Sequence, residues 1–165
     1  MKRCVAILVT VMAFAGCTGT QQSAAPAGTS IPVERLRKEP YSFSFNSGVD
    51  EPERLVVRDA AAWNALWTSV HARQSPVPAL PSVDFKKEMI VFASLGTQPS
   101  GGYSVLIDGA SEAGEGAINV TVRSITPGPK CGVTAALTEP VDMARLARRD
   151  GKVQFVERTE KSDCP

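Results

Sequence analysis

The stretch Glu88–Ile107, EMIVFASLGTQPSGGYSVLI, decides the fold. Glu88 to Leu95 is a near-continuous apolar run and reads as a buried strand. Gly96 to Tyr103 then packs three glycines, a proline and one aromatic into a single loop. Beyond it Tyr103, Val105 and Ile107 alternate with Ser104, Leu106 and Asp108, which is the period of a second strand. The loop is therefore a strand-to-strand connection. Pro99 stiffens its approach, and Gly101 and Gly102 can take positive φ.

On the N-terminal side, Gln74 to Ser82 (QSPVPALPS) is proline-rich and excludes helix or central strand. Before it, Asp59 stands as an N-cap, and Trp63, Leu66, Trp67 and Val70 follow at helical spacing. Both tryptophans lie on this stripe and read as core, because so short a helix needs the stripe to dock. Arg54 to Val57 reads as a short strand. Tyr41, Phe43 and Phe45 alternate with polar residues and read as another, starting the folded part.

On the C-terminal side, Gly109 to Gly116 reads as a turn, and Ile118, Val120 and Val122 mark the next strand. Pro127 to Gly132 is a second rigid loop. Val133 to Leu137 and Val141 to Ala147 read as strands. Asp150-Gly151 signals a hairpin completed by Lys152 to Val156. One helix followed by several strands, without βα alternation, predicts an α+β fold. The expectation is a mostly antiparallel sheet of about six to eight strands, with one amphipathic helix packed on it.

The first residues carry a different message. Lys2-Arg3 precedes Val5 to Phe14, an apolar run of ten residues. That is short of the roughly 20 needed to span a bilayer and fits an export signal. Ala15-Gly16-Cys17 resembles a bacterial lipobox, with Phe14 where leucine is usual. The resemblance implies a signal peptide over residues 1–16 and an acylated Cys17. It also implies a lipid-anchored protein of the cell envelope. Thr18 after the cysteine favours the outer membrane, with the domain in the periplasm or at the cell surface. Residues 17–40 read as a flexible tether, and 41–165 as a single globular domain.

With Cys4 removed and Cys17 acylated, Cys131 and Cys164 remain. In an oxidising compartment they are most simply a disulfide. A zinc or redox pair does not fit, since there is no CxxC and His71 is the only histidine. Removing Lys2 and Arg3 leaves 16 basic against 17 acidic residues, a net charge of −1. That balance, with no basic stripe, gives no field for nucleic acid.

The glycine loop lacks the residues that phosphate binding or nucleophilic catalysis needs. Gly96 and Gly101 have the spacing of a phosphate-binding loop, but Gly102-Tyr103 stands where Lys-Ser/Thr is needed and a strand follows. Ser100 lacks the Gly-x-Ser-x-Gly elbow. A Ser100–His71–Asp84 triad can be written on paper, with Asp84 orienting the imidazole. Asp108, Glu112 and Glu115 lack the spacing of a calcium loop and read as solvated turn charges. No cofactor, metal or catalytic set is expected, and the chain reads as a non-enzyme.

Several elements together resemble the C-terminal domain of the PrcB family. They are Val83-Asp84-Phe85, Met89 to Phe92, Gly96 to Val105, Pro127-Gly128-Pro129, Val133 to Pro140 and Val153 to Phe155. Asp59, Trp63 and Leu66-Trp67 fit as well, so the likeness runs over roughly residues 55 to 158. Gly-Gly-Tyr and Leu-Thr-x-Pro are its specific parts. The founding member is a lipoprotein subunit of a bacterial surface protease complex. The resemblance implies an exported, non-catalytic domain that binds a protein partner, stabilising or regulating an exported protease. Ser100, Gly101, Gly102, Tyr103 and Pro129 are the candidate contact residues. Pro99 to Tyr103 also resembles the loop of chagasin-type cysteine-protease inhibitors, with Pro127 to Gly132 as a second inserting loop. A protease inhibitor, a cell-envelope binding module and a serine-dependent hydrolase are the alternatives.

Overall fold

A computed structural model describes residues 28–36 and 47–164. The export signal, Cys17 and the Tyr41–Phe45 strand pattern lie outside the described residues. The strands are β1 (Ser30–Ile31), β2 (Glu34–Arg35), β3 (Pro52–Val57), β4 (Glu88–Leu95), β5 (Ser104–Glu112), β6 (Ile118–Pro127), β7 (Val141–Ala147) and β8 (Val153–Ser162). The helix α1 is Ala60–Val70. The α+β class, one helix among the described residues and the mostly antiparallel pairing are as expected. The eight strands divide between two sheets, ordered β1-β5-β6-β8 and β2-β7-β4-β3.

The layering explains the apolar run of β4. Met89, Val91 and Ala93 point into the core between the sheets, against Val105, Ile107, Val120 and Val122. Ile90 and Phe92 point the other way, into a second core with Trp63, Leu66, Trp67 and Val70. Side chains alternate across a strand, so a strand covered on both faces reads as a near-continuous apolar run. β7 is built likewise, with Val141 and Met143 toward the helix and Ala144 and Leu146 toward the other sheet.

The helix begins where its cap predicts. The Asp59 carboxylate accepts from the Ala62 amide at 2.8 Å. The indole N–H groups of Trp63 and Trp67 donate to the carbonyls of Pro81 and Pro78, each at 2.9 Å. The proline-rich segment is thus fastened across the helix by the two tryptophans, which read as core and are buried.

Four sequence readings need correction. Residues 28–36, assigned to the tether, are part of the fold. Ile31 pairs with Ala110, Arg35 pairs with Ala144, and the Ile31 side chain is buried. The turn read over Gly109–Gly116 is shorter, because β5 continues to Glu112 through an irregularity between Ile107 and Gly109. Asp108 sits at that irregularity and is bonded to Arg123 at 2.7 and 3.1 Å. Val133 to Leu137 is an exposed loop rather than a strand, with only Thr138 bridging to Gln98. Its Thr-Ala-Ala centre has little to bury.

Asp150-Gly151 does not close a hairpin. β7 lies between β2 and β4, while β8 crosses to the other sheet and pairs with β6 in parallel. β7 buries apolar side chains on both faces and suits the middle of a sheet, whereas Val153 and Phe155 pack β8 against one core only. Arg58 holds the corner by donating to the carbonyls of Arg149 and Gly151, each at 3.0 Å. The β6–β8 pair is parallel within an otherwise antiparallel set of described pairings.

Among the described residues, no helix is long and apolar enough to cross a membrane.

Candidate functional site

The glycine loop after β4 is built from close approaches. Gly96 has φ +66°, and a Cβ there would stand 2.7 Å from the Asp50 carbonyl oxygen. Gly101 is buried and donates to the Thr134 carbonyl at 3.0 Å. Gly102 has φ +86°, and a Cβ there would stand 2.8 Å from Val133 Cγ1 and 3.0 Å from Pro127 Cβ. The loop needs its glycines because two other segments press against it.

Those contacts join it to the loop that follows β6. Gln98 and Thr138 exchange backbone hydrogen bonds at 2.7 and 3.1 Å. The Thr138 hydroxyl donates to the Ser100 carbonyl at 2.8 Å. Ser104 pairs with Ile125, which sets Tyr103 beside the end of β6. The two loops therefore share one end of the fold and form one surface.

Gly96→Ala is expected to destabilise the domain by about 1–3 kcal/mol, since it meets both a positive φ and a backbone clash. Gly114→Ala, at φ +80° but with nothing within 4 Å, should cost clearly less. Chemical denaturation of the two variants checks this, and equal costs would show that the packing around Gly96 is slack.

The five candidate contact residues fall into two groups. Pro129 and Gly102 are exposed. Ser100 and Tyr103 are half-buried and Gly101 is buried, so these three support the surface more than they present it. What the surface does present is Leu137, 64% exposed, and Val133, 41% exposed. The sequence reading missed both by assigning them to a strand. Their signal was the Leu-Thr-x-Pro element, Leu137 to Pro140, whose threonine is the residue that pins the glycine loop. Beside Pro129 a cleft of about 310 Å³ opens, floored by Cys164. Cys131 and Cys164 are disulfide-bonded, with Cα atoms 4.9 Å apart.

The paper triad is not assembled. The Ser100 hydroxyl donates to the Gly101 carbonyl at 3.1 Å. His71 is fully buried at the helix C-cap, where Nδ1 meets the Trp67 carbonyl at 2.8 Å and the ring packs on the Trp67 indole. Asp84 accepts from the Lys86 amide at 3.1 Å and lies 3.8 Å from Lys87 Nζ. Among the described residues no group of three His, Cys, Asp or Glu side chains could hold a metal.

A polar cluster flanks the surface. Arg73 bridges the buried Glu139 at 2.6 Å and Asp50 at 2.9 Å. The hydrogen bonds to Glu139 and then Asp50 raise the guanidinium pKa above its usual value. Asp50 in turn holds the glycine loop, since its carbonyl accepts from the Thr97 amide at 2.9 Å. Nothing in the spacing of Asp50, Arg73 and Glu139 announces this cluster.

The paired loops, the strand before them and the strand after them form one continuous stretch of chain. Residues 89–147 match the PrcB C-terminal family. The PrcB C-terminal match thus runs from β4 to the end of β7 and contains both loops. It is shorter than the likeness read over 55 to 158, leaving β3, α1 and β8 outside. No curated protein and no solved structure matches the chain.

Proposed function

We propose that this protein is an exported, lipid-anchored, non-catalytic domain that binds a protein partner in a protease-associated complex. The observation that carries the reading is the joined surface of the two loops. It lies wholly within the PrcB C-terminal match and exposes Leu137 and Val133. Apolar side chains held on a rigid, hydrogen-bonded base suit a contact with another protein. The Ser100 hydroxyl, turned onto a neighbouring carbonyl, supports a structural role over a nucleophilic one. The lipobox resemblance at Cys17 supports the anchor.

The test is a photo-crosslinking side chain at Leu137 in the full chain, in its native envelope. A protease or protease-complex subunit should be the dominant adduct, with none from Glu115 in the distant β5–β6 turn. Val133→Asp with Leu137→Asp should reduce recovery of that protein at least tenfold without moving the melting temperature, because exposed positions contribute little to stability. Equal adducts from both sites, or labelling of Ser100 by a serine-directed covalent probe, would overturn the reading.

A further inference from the structure

Among the described residues the longest unpaired sheet edge belongs to β8, which pairs only with β6. The Lys152 and Ser162 carbonyls turn toward β6, accepting from Ile118 and Gly128 at 2.9 and 3.1 Å. Backbone groups alternate in direction along a strand. Those of Val153, Phe155, Glu157, Thr159 and Lys161 therefore point outward.

Charges on an edge strand ordinarily keep other chains away. Here they run Glu157-Arg158-Thr159-Glu160-Lys161, a sequence complementary to its own reverse. Two copies laid antiparallel about a two-fold axis at Thr159 set Glu157 opposite Lys161 and Arg158 opposite Glu160, in both directions. Moving the axis to Glu157, Arg158 or Glu160 sets like charges face to face. Thr159 is also one of the residues whose backbone groups point outward, so the central pair can exchange hydrogen bonds.

The intrachain pairing leaves the cations over. Glu157 is held by Arg54 at 2.8 Å and Glu160 by Arg123 at 2.8 Å. Arg158 and Lys161 are exposed, and among the described residues neither has an ion-pair partner. Arg158 moreover lies directly beside Arg123 in the parallel register. A carboxylate can accept more than two hydrogen bonds, so Glu157 and Glu160 retain capacity for a second cation.

We propose that this protein forms a two-fold dimer through β8, joining two four-stranded sheets into one continuous sheet across the axis. The occupant of the edge is a second copy of the chain, because the charge order fits its own reverse in this register. The inference is independent of the partner assigned to the loop surface.

Sedimentation of the full chain over a concentration series should reveal a dimer. Arg158→Glu with Lys161→Glu sets acid against acid at four positions and should weaken association at least tenfold. Among the described residues neither side chain has an ion pair, so the melting curve of the monomer should be retained. Thr159→Cys gives a second reading. A hydrogen-bonded antiparallel pair has Cα atoms about 5.5 Å apart, within the span of a disulfide. Oxidation should therefore produce a covalent dimer from Thr159→Cys and none from Glu115→Cys. A wild-type chain monomeric at every concentration, a dimer that persists after charge reversal, or no covalent dimer at Thr159 would each overturn the proposal.

Discussion

Replacing Cys131 and Cys164 by serine is expected to cost the fold about 3–4 kcal/mol, the value a loop-entropy model assigns to a closure of this length. The bond spans 33 residues of sequence separation, and within that span lie β7 and the crossover to β8. In the unfolded chain it therefore restrains a segment that supplies strands to both sheets. In the folded chain it ties the end of β8 to the loop after β6. β8 has a neighbour on one side only, so the bond reinforces the β6 pairing at its last residues. A typical domain has a total stability of about 5–15 kcal/mol, of which this is a large share. The melting temperature should fall by on the order of 10 °C. A scan of the oxidised and reduced chain measures the difference, and coincident curves would show that the bond adds nothing to stability.

Trp63→Ala should cost about 3–5 kcal/mol, the range for removing a large aromatic from a packed core. Trp63 is 2% exposed and meets Trp67 edge-on, with ring centroids 5.3 Å apart. Its loss opens a cavity between the helix and the outer face of β4. It also removes the donor that holds the Pro81 carbonyl. Trp63→Phe keeps most of the ring volume and loses only that hydrogen bond, and should cost roughly 1–2 kcal/mol. Urea denaturation of both variants checks the order. If alanine were no worse than phenylalanine, the indole would be dispensable to packing.

Elements with an unbroken period were legible in the sequence. The helix followed from Asp59 and its four apolar residues, and β4 from a near-continuous apolar run. The same strength explains a gap. A run apolar at nearly every position says that both faces are covered, and not by what, so the division into two sheets could not be read from it. Short strands were invisible for a different reason. β1 and β2 are two residues each, too short to display a period, and they lie in a segment whose composition suggested a tether. The Asp150-Gly151 signal was local, whereas the partner of β8 was decided by which strand could afford a polar face.

The candidate surface was half legible. Gly101 and Gly102 marked a place where the backbone comes close to something, and that something is Thr134, Val133 and Pro127. What approached them was not readable, because it lies some thirty residues further along the chain. Leu137 was hidden by its surroundings. A single leucine after two alanines looks like the inward residue of a strand until the backbone is seen to leave the sheet.

The parallel pairing of β8 with β6 also orders events in time. β8 reaches β6 only across the corner at Gly151, which follows β7 in the chain. Contacts of such long sequence separation are slow to form. Among the described strands β8 comes latest in the chain, so in synthesis from the N-terminus one edge of β6 stays uncovered until β8 is made. A product that stops short of Val153 has the helix, both loops and the whole PrcB C-terminal match, and still lacks the strand that closes the domain.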